Sequence, residues 1–266
     1  IDAATGVVTF RTAPDFENPA DADGDNVYEL TVTASDGTTA TDQTVQVTVT
    51  NGNDNAPVIT SVASASVAEN QTSAIDVDAT DPDGDTLTYS LSGTDAALFA
   101  IDAETGVVTF RAAPDFENPT DANGDNVYEL IVTASDGTTA TDQSVQVTVT
   151  NGNDNAPVII SAASASVAEN QTAALDVDAT DADGDALTYS LSGTDAALFS
   201  IDAATGVVTF RTAPDFEAPA DANGDNVYDL VVTASDGTSA TDQTVQVTVT
   251  NGNDNAPVII SAASAS

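Results

Sequence analysis

Acidic and amide side chains recur in short motifs whose spacing could place several oxygen atoms around one cation. Alternate acidic residues occur in DPDGD at 81–85 and in PDFE at 114–117, and NGNDNAP at 151–157 combines amides with a carboxylate. Calcium takes about six to eight oxygen ligands from carboxylates, side-chain amides and backbone carbonyls. The sequence has no Cys and no His, so its ligands are oxygen atoms almost exclusively. These motifs predict Ca²⁺ binding.

The composition favours the same class of partner. The 266 residues include 43 Asp and Glu against three Lys and Arg, a formal net charge of −40. This charge repels nucleic acid and anionic membrane surfaces, so we expect no nucleic-acid binding. We also expect no membrane insertion, because no apolar run reaches the about 18 residues of a spanning helix. The hydrophobic residues, 41% of the chain, fall in alternating runs that predict a folded protein.

A repeat of 100 residues organises the chain. Residues 1–66 recur at 101–166 and 201–266, and residues 67–100 recur at 167–200. This period is too long for a solenoid unit and suits one independently folded β-sandwich. The first residue is not Met, so we expect a fragment of a longer protein. The predicted domains are the later part of a first repeat at 1–57, complete repeats at 58–157 and 158–257, and the start of a fourth at 258–266.

Hydrophobic and polar residues alternate within strand-length runs of each repeat. The runs AIDVDA, TLTYSLSG, VVTF, VYELIVTASD and SVQVTVT, with VITSVASASVAEN and LFAID, predict seven strands. Seven strands of this kind are typical of a Greek-key sandwich of two antiparallel sheets. The segment GTDAALF predicts a single helical turn. The segment DAETG predicts a hairpin turn with Gly106 at a positive φ.

Five motifs in the complete repeat appear in the order typical of the cadherin repeat. VAEN (67–70) resembles the early Glu motif of that family, ATDPDGD (79–85) its A-x-D-x-D loop, PDFE its L-D-R-E motif, TASDG (133–137) its A-x-D motif, and NGNDNAP its D-x-N-D-N-x-P linker. The resemblance implies an all-β fold of tandem seven-stranded Greek-key β-sandwiches, cadherin or immunoglobulin-like, in a linear array. The sequence departs from the family linker because Asn51, Asn151 and Asn251 stand where that motif begins with Asp.

In the cadherin family, calcium ions lie at each junction between domains. The resemblance implies that the first junction would use Asp15, Glu17, Asn53, Asp54, Asn55, Asp81, Asp83 and Asp136. The second junction would use Glu69, Asp115, Glu117, Asn153, Asp154, Asn155, Asp181, Asp183 and Asp236. A third half-site would consist of Glu169, Asp215, Glu217, Asn253, Asp254 and Asn255.

Other acidic residues have simpler interpretations. The DADGDN and DANGDN loops leave two alternatives open, a further calcium site through residues such as Asp121, Asn123 and Asp125, or a solvated turn. Four acidic residues outside the motifs are predicted to be solvated surface residues, namely Asp76, Asp78, Asp95 and Asp142.

These features predict a calcium-stiffened extracellular array of bacterial-type repeats, acting as a stalk or filament for cell-surface or biofilm adhesion. The alternative is a module that binds carbohydrate or a protein partner, which predicts a shallow patch with exposed aromatic residues. An enzyme is not expected, because the chain has no His, Cys or Lys and no G-x-S-x-G motif. The expected partners are calcium, other copies of the chain and surface glycans, and the expected location is secreted or at the cell surface.

Overall fold

The computed structural model describes residues 1–260. The chain divides into two compact units, residues 1–150 and residues 151–266. Regular structure in the described residues is almost entirely β, with two short 3-10 helices. Neither helix has the length and apolar character needed to cross a membrane.

Strands in the first unit follow the predicted alternating runs. They are β1 Val27–Ser35, β2 Ala40–Thr48, β3 Val58–Ile59, β4 Ser64–Ala68, β5 Ser73–Asp76, β6 Ala79–Thr80, β7 Thr88–Ser92, β8 Phe99–Ile101, β9 Val107–Phe110, β10 Val127–Ser135 and β11 Ala140–Thr150. The predicted helical turn is the 3-10 helix η1 at Ala96–Leu98.

Two sheets form the sandwich of the second repeat. One has the order β4-β11-β10-β7 and the other β5-β9-β8, while β3 and β6 form a short additional pair. All pairings are antiparallel except that β4 runs parallel to β11. Four strands in one sheet and three in the other agree with the seven predicted. β3 and β6 are separate short segments of the first two predicted strands.

The core lies between the two sheets and is centred on three aromatic rings. Phe99 and Phe110 have ring centroids 4.3 Å apart, and Tyr128 meets them edge-on at 5.5 Å and 5.1 Å. Val108 and Val132 bring aliphatic side chains from opposite sheets into the same cluster. Tilted and edge-to-face rings add about 0.5–1.5 kcal/mol per pair to the stabilisation from burial. The alternation along β9 and β10 therefore places every second side chain in this core.

The second unit repeats this arrangement. Its strands are β12 Val158–Ile159, β13 Ser164–Ala168, β14 Ala173–Asp176, β15 Ala179–Thr180, β16 Thr188–Ser192, β17 Phe199–Ile201, β18 Val207–Phe210, β19 Val227–Ser235 and β20 Ala240–Thr250. The 3-10 helix η2 spans Ala196–Leu198. The sheets have the orders β13-β20-β19-β16 and β14-β18-β17, with β12 and β15 as the short pair.

The turn before β9 confirms the prediction for Gly106. Its φ is +79°, and its N–H donates to the Asp102 carbonyl at 2.9 Å. A Cβ at this position would clash with the backbone carbonyl oxygen of Val77. Glycine is required here both for its left-handed backbone and for the close approach of Val77, the residue directly after β5.

Asp95 contradicts the prediction of a solvated surface position, whereas Asp76, Asp78 and Asp142 are exposed as predicted. The Asp95 side chain is only 4% exposed. Its Oδ1 accepts the Ala122 N–H at 2.9 Å and its Oδ2 accepts the Glu129 N–H at 2.8 Å. The carboxylate can be buried because two backbone donors replace water. Asp95 therefore fastens the loop before β10 to the segment that leads into η1.

Candidate calcium site

Asp83 organises the first linker, residues 51–57. Its Oδ2 accepts the backbone N–H groups of Asp54 at 3.0 Å and Asn55 at 2.8 Å. Its Oδ1 accepts the side-chain amide of Asn55 at 3.0 Å. Asp81 in turn accepts the Asp83 N–H at 2.9 Å. One carboxylate thus ties the linker to the DPDGD loop of the second repeat.

Glu17 of the first repeat contacts the same linker residue, Asn55. The Asn55 amide donates to Glu17 Oε2 at 3.3 Å and to Asp54 Oδ1 at 3.1 Å. One carboxylate oxygen from each of Glu17, Asp54 and Asp83 lies within 4.8 Å of the other two. Two like charges about 5 Å apart repel by roughly 3 kcal/mol at an effective dielectric near 20. The arrangement therefore favours a cation among these three carboxylates.

Asp136 joins the linker through its backbone. Asn53 donates its side-chain amide to the Asp136 carbonyl at 3.4 Å. The Asp136 carboxylate accepts the N–H groups of Thr138 and Thr139, both at 2.6 Å. The Thr139 hydroxyl donates to Asp136 Oδ2 at 2.6 Å and to the Asn55 carbonyl at 3.3 Å. These bonds hold the TASDG loop against the linker.

Several predicted ligands carry a buried oxygen atom that lacks a hydrogen-bond partner within residues 1–260. In the first unit these atoms are Glu17 Oε1, Asn53 Oδ1 and Asp81 Oδ2, and in the second unit they are Asn153 Oδ1, Asp181 Oδ2 and Asp236 Oδ2. Leaving a buried acceptor unsatisfied costs about 1–3 kcal/mol. A bound metal ion would supply the missing partner, and a donor set made only of oxygen fits Ca²⁺.

The electrostatics of the first linker differ from one carboxylate to the next. Desolvation raises the pKa of Glu17 above its usual 4.5, and the neighbouring Asp83 and Asp54 raise it further. The side-chain and backbone hydrogen bonds from Asn55 lower the pKa of Asp83. The Thr139 hydroxyl and N–H lower the pKa of Asp136. On acidification Glu17 therefore protonates before Asp83 and Asp136 do.

On acidification the first linker should lose calcium affinity. The loss should begin at a higher pH than it would if Glu17 had the usual pKa of a glutamate, because the pKa of Glu17 is raised. In the calcium-free chain, protonated Glu17 stabilises the folded state. This stabilisation is fully present below pH 4.5 and is lost as the pH rises through the raised pKa. Calcium requires the ionised form, so its binding has the opposite dependence. Calorimetric titration with Ca²⁺ across this pH range should show the affinity decrease. The decrease should be smaller in Glu17→Gln and unchanged in Glu104→Gln, a control at an exposed turn. A pH dependence untouched by Glu17→Gln would contradict this assignment.

The second linker makes the same bonds to the repeat that follows it. Within the second unit, Asp183 Oδ2 accepts the N–H groups of Asp154 at 3.0 Å and Asn155 at 2.8 Å. Asn153 donates to the Asp236 carbonyl at 3.4 Å. The bonds between a linker and the repeat that follows it therefore recur in the second unit with nearly identical distances.

At the third linker, residues 251–257, the structure shows the ligands that come from the preceding repeat, including Glu169 of its early Glu motif. The buried Glu169 accepts the Gly252 N–H at 2.6 Å through Oε1 and the Phe216 N–H at 2.9 Å through Oε2. Glu217 accepts the side-chain amides of Asn251 at 2.8 Å and Asn255 at 3.0 Å. Carboxylate oxygens of Glu169, Asp215 and Glu217 lie within 4.8 Å of one another.

Other predicted ligands also organise loops. Asp15 accepts the Glu17 N–H at 3.1 Å, and Asp115 accepts the Glu117 N–H at the same distance. Glu69 accepts the Phe116 N–H at 2.8 Å. Asp254 accepts the Asn170 amide at 2.8 Å, and Asn253 is exposed. The predicted grouping of the Glu69 set with the second linker stays a prediction.

The DANGDN loop has the bonds of a tight turn. Asp121, which is 7% exposed, accepts the N–H groups of Asp125 at 3.0 Å and Asn126 at 3.2 Å. Asn126 has a φ of +62° and donates its amide to the Phe116 carbonyl at 2.9 Å. These contacts explain the loop without a metal, and the further calcium site stays an untested alternative.

Sequence reasoning missed two amides that support the linkers. Asn51 donates to the Asp83 carbonyl at 2.7 Å, and Asn170 contacts Asp254. Asn51 lies within the linker motif, where its departure from Asp could have indicated a donor role. Asn170 follows the early Glu directly, but nothing local to VAEN indicates its partner, which lies 84 residues away.

Comparison with known proteins connects these features to one family. A family model described as Cadherin domain matches residues 63–150 and 163–250. Cadherin-23 of Mus musculus is 36% identical over 286 aligned residues, which cover 97% of this chain and 8% of cadherin-23. Chitinase A of Pseudoalteromonas piscicida is 32% identical over 198 residues, covering 74% of this chain and 22% of that protein. The chain thus spans a small part of each of these relatives.

A solved structure agrees with the fold. The crystal structure of mouse cadherin-23 EC22-24 has a TM-score of 0.63 and 26% sequence identity to this chain, and the similarity covers 91% of this chain and 78% of that one.

Proposed function

The chain belongs to the cadherin family, and we propose that its linkers bind Ca²⁺ and thereby stiffen an extracellular array of repeats that serves in adhesion as a stalk or filament. The observation that carries this proposal is the set of buried oxygen atoms without partners at predicted ligand positions, including Glu17 Oε1, Asn53 Oδ1 and Asp81 Oδ2. Their positions beside converging carboxylates favour a cation over a purely structural role.

The proposed ligands are those that the linker motifs predict. In the first unit they are Asp15, Glu17, Asn53, Asp54, Asn55, Asp81, Asp83 and Asp136, together with three residues of the second repeat that are proposed for the second linker, Glu69, Asp115 and Glu117. In the second unit they are Asn153, Asp154, Asn155, Asp181, Asp183 and Asp236, with Glu169, Asp215, Glu217, Asn253, Asp254 and Asn255 at the third linker. Bound Ca²⁺ would supply positive charge and would coordinate residues distant in sequence, coupling metal binding to linker order.

The location and partners follow from this role. We propose a secreted or cell-surface protein whose repeats extend reach, because each added copy adds length without new chemistry. Other copies of the chain are the partner most compatible with near-identical repeats, since one lateral contact would recur in every repeat. A non-enzymatic role is proposed because no His, Cys or Lys is present, and the similarity to chitinase A covers only 22% of that protein.

Hydrogen–deuterium exchange of the full chain, with saturating Ca²⁺ and with excess chelator, tests this proposal. The amides of Asp54 and Asn55, which donate to Asp83, should exchange at least about tenfold more slowly with calcium, or about 1.4 kcal/mol. Core amides of β10 serve as the control and should change far less. Calorimetry in parallel should detect binding of Ca²⁺. Equal linker exchange in both conditions, or no heat of binding, would show that the acidic motifs are only surface charge.

A further inference from the structure

A buried asparagine bonds both the motif that contains Glu17 and the strand that enters the first linker. Asn26 is 8% exposed and has a φ of +65°. Its Nδ2 donates to the Phe16 carbonyl at 2.9 Å, and its own carbonyl accepts the Val49 N–H at 2.9 Å. We propose that Asn26 is a positioning residue for calcium binding at this linker, because its amide fixes the place of the Glu17 carboxylate. This inference rests on the proposed function.

The first of these bonds acts on the peptide group that leads into Glu17. Asn26 holds the carbonyl of this group at Phe16, and Asp15 Oδ1 accepts its N–H, from Glu17, at 3.1 Å. A peptide group is planar, so bonds at both ends restrict the orientation of the Glu17 backbone, from which the side chain extends. Glu17 Oε2 then lies 3.3 Å from the Asn55 amide, among the linker carboxylates. The Asn26 amide therefore helps to aim this carboxylate at the linker.

The second bond acts on the start of the linker itself. Val49 directly follows β2 and stands two residues before Asn51, where the linker begins. The bond from its N–H to the Asn26 carbonyl holds this entry to the linker beside the residue that also holds the motif of Glu17. Asn26 thus joins two segments that must approach each other if their oxygen atoms are to share one cation.

The residue type at position 26 indicates that the amide is the part that matters. Glycine adopts a positive φ more readily than asparagine does, and it would bury no side chain here. The Asn26 Oδ1 is buried without a hydrogen-bond partner within residues 1–260, which counts against stability. Aspartate could not donate to the Phe16 carbonyl, because an ionised carboxylate only accepts. The donor Nδ2 is therefore the feature that asparagine supplies and that glycine and aspartate lack.

The same bonds recur in the two complete repeats. Asn126 and Asn226 have φ values of +62° and +64°, and each donates at 2.9 Å to the phenylalanine carbonyl of the PDFE motif in its own repeat. Their carbonyls accept the N–H groups of Val149 and Val249 at 2.9 Å. Each asparagine therefore acts on the motif of its own repeat, which makes Asn126 a matched control for Asn26.

A double-mutant cycle in the full chain tests the inference. Asn26→Gly accepts the positive φ and removes the amide, and we expect it to raise the Kd of the first linker for Ca²⁺ at least about tenfold, or about 1.4 kcal/mol. In the Glu17→Gln background the same substitution should change the Kd less than about twofold, because Asn26 acts through Glu17. Calcium titration followed by hydrogen exchange of residues 51–62, whose sequence is unique in the chain, measures the Kd. Equal fold-changes in both backgrounds, or none in either, would overturn the inference.

The control variant removes the same bond from the other repeat. Asn126→Gly should leave the Kd of the first linker within about twofold of the value for the unaltered chain. A purely structural role for Asn26 predicts a different result from positioning. Asn26→Gly would then lower the exchange protection of core amides in β1 and β2 and leave the Kd unchanged.

A measurement without calcium separates this inference from the proposed function. In excess chelator, the nuclear Overhauser contact between the Asn55 side-chain amide and Glu17 should be present in the unaltered chain and in Asn126→Gly, and lost in Asn26→Gly. Retention of this contact in Asn26→Gly would refute the positioning role in a chain that still binds calcium. Absence of calcium binding in the unaltered chain would refute the proposed function, and a positioning role in calcium binding with it.

Discussion

Replacing Asp83 with alanine should abolish calcium-dependent order in the first linker and raise its Kd for Ca²⁺ at least about 100-fold, or about 2.8 kcal/mol. The variant removes a proposed metal ligand together with the acceptor for two linker amides and one side-chain amide. Each loss alone weakens the site, and together they remove the bonds that preorganise Asp54 and Asn55. Calcium titration followed by hydrogen exchange of peptides spanning the linker measures the effect.

The chain supplies two controls for this variant. Asp76→Ala removes the same charge from an exposed strand position and should leave calcium binding unchanged. The second linker, whose amides bind Asp183, should keep its calcium-dependent protection within the same Asp83→Ala molecule. Retained calcium protection of the first linker in Asp83→Ala would exclude Asp83 as an essential ligand.

Replacing Asp95 with alanine should lower the free energy of unfolding of the second repeat by about 3 kcal/mol. The substitution leaves the Ala122 and Glu129 N–H groups without their acceptor where little water can enter. It also detaches the loop that Asp121 organises from the segment entering η1. Native-state hydrogen exchange at core amides of β10 and β11 gives this free energy for one repeat inside the full chain.

Asp195 allows the Asp95 result to be reproduced in the other unit. It accepts the Ala222 N–H at 2.9 Å and the Asp229 N–H at 2.8 Å, so Asp195→Ala should destabilise the third repeat by a similar amount. Asp76→Ala serves as the exposed control and should change stability by no more than about 0.5 kcal/mol. An effect of Asp95→Ala as small as that of Asp76→Ala would show that the two hydrogen bonds contribute little.

Much of the fold could be predicted because its signals are local. The alternation in VYELIVTASD directs Tyr128, Leu130, Val132 and Ala134 to one face, and all four are buried. The GTDAALF turn and the positive φ of Gly106 also follow from residues within a few positions of each other. The interruptions that separate β3 from β4 and β5 from β6 were not predicted, because they depend on contacts such as that of Val77 with Gly106.

The candidate site was predicted only as a set of residues. The spacing of Asp81 and Asp83 predicted that they lie close together in one loop. The resemblance to the cadherin repeat predicted which other residues share their site. It did not indicate that Asp83 would be the anchor of the linker, or that Glu17 would have a raised pKa while that of Asp83 is lowered. These properties depend on which amides and carboxylates meet after folding, and those groups come from the first repeat, the linker and the second repeat.

The sequence by itself determined the repeat, the positions of the strands along the chain and the oxygen-rich motifs, because periodicity and spacing are properties of neighbouring residues. Burial and bonding were decided by tertiary structure. Asp95 resembles a surface residue until Ala122 and Glu129 approach it. Phe110 is only 5% exposed. It is buried because β9 pairs with β5 and β8 and faces β10, contacts that no local pattern encodes.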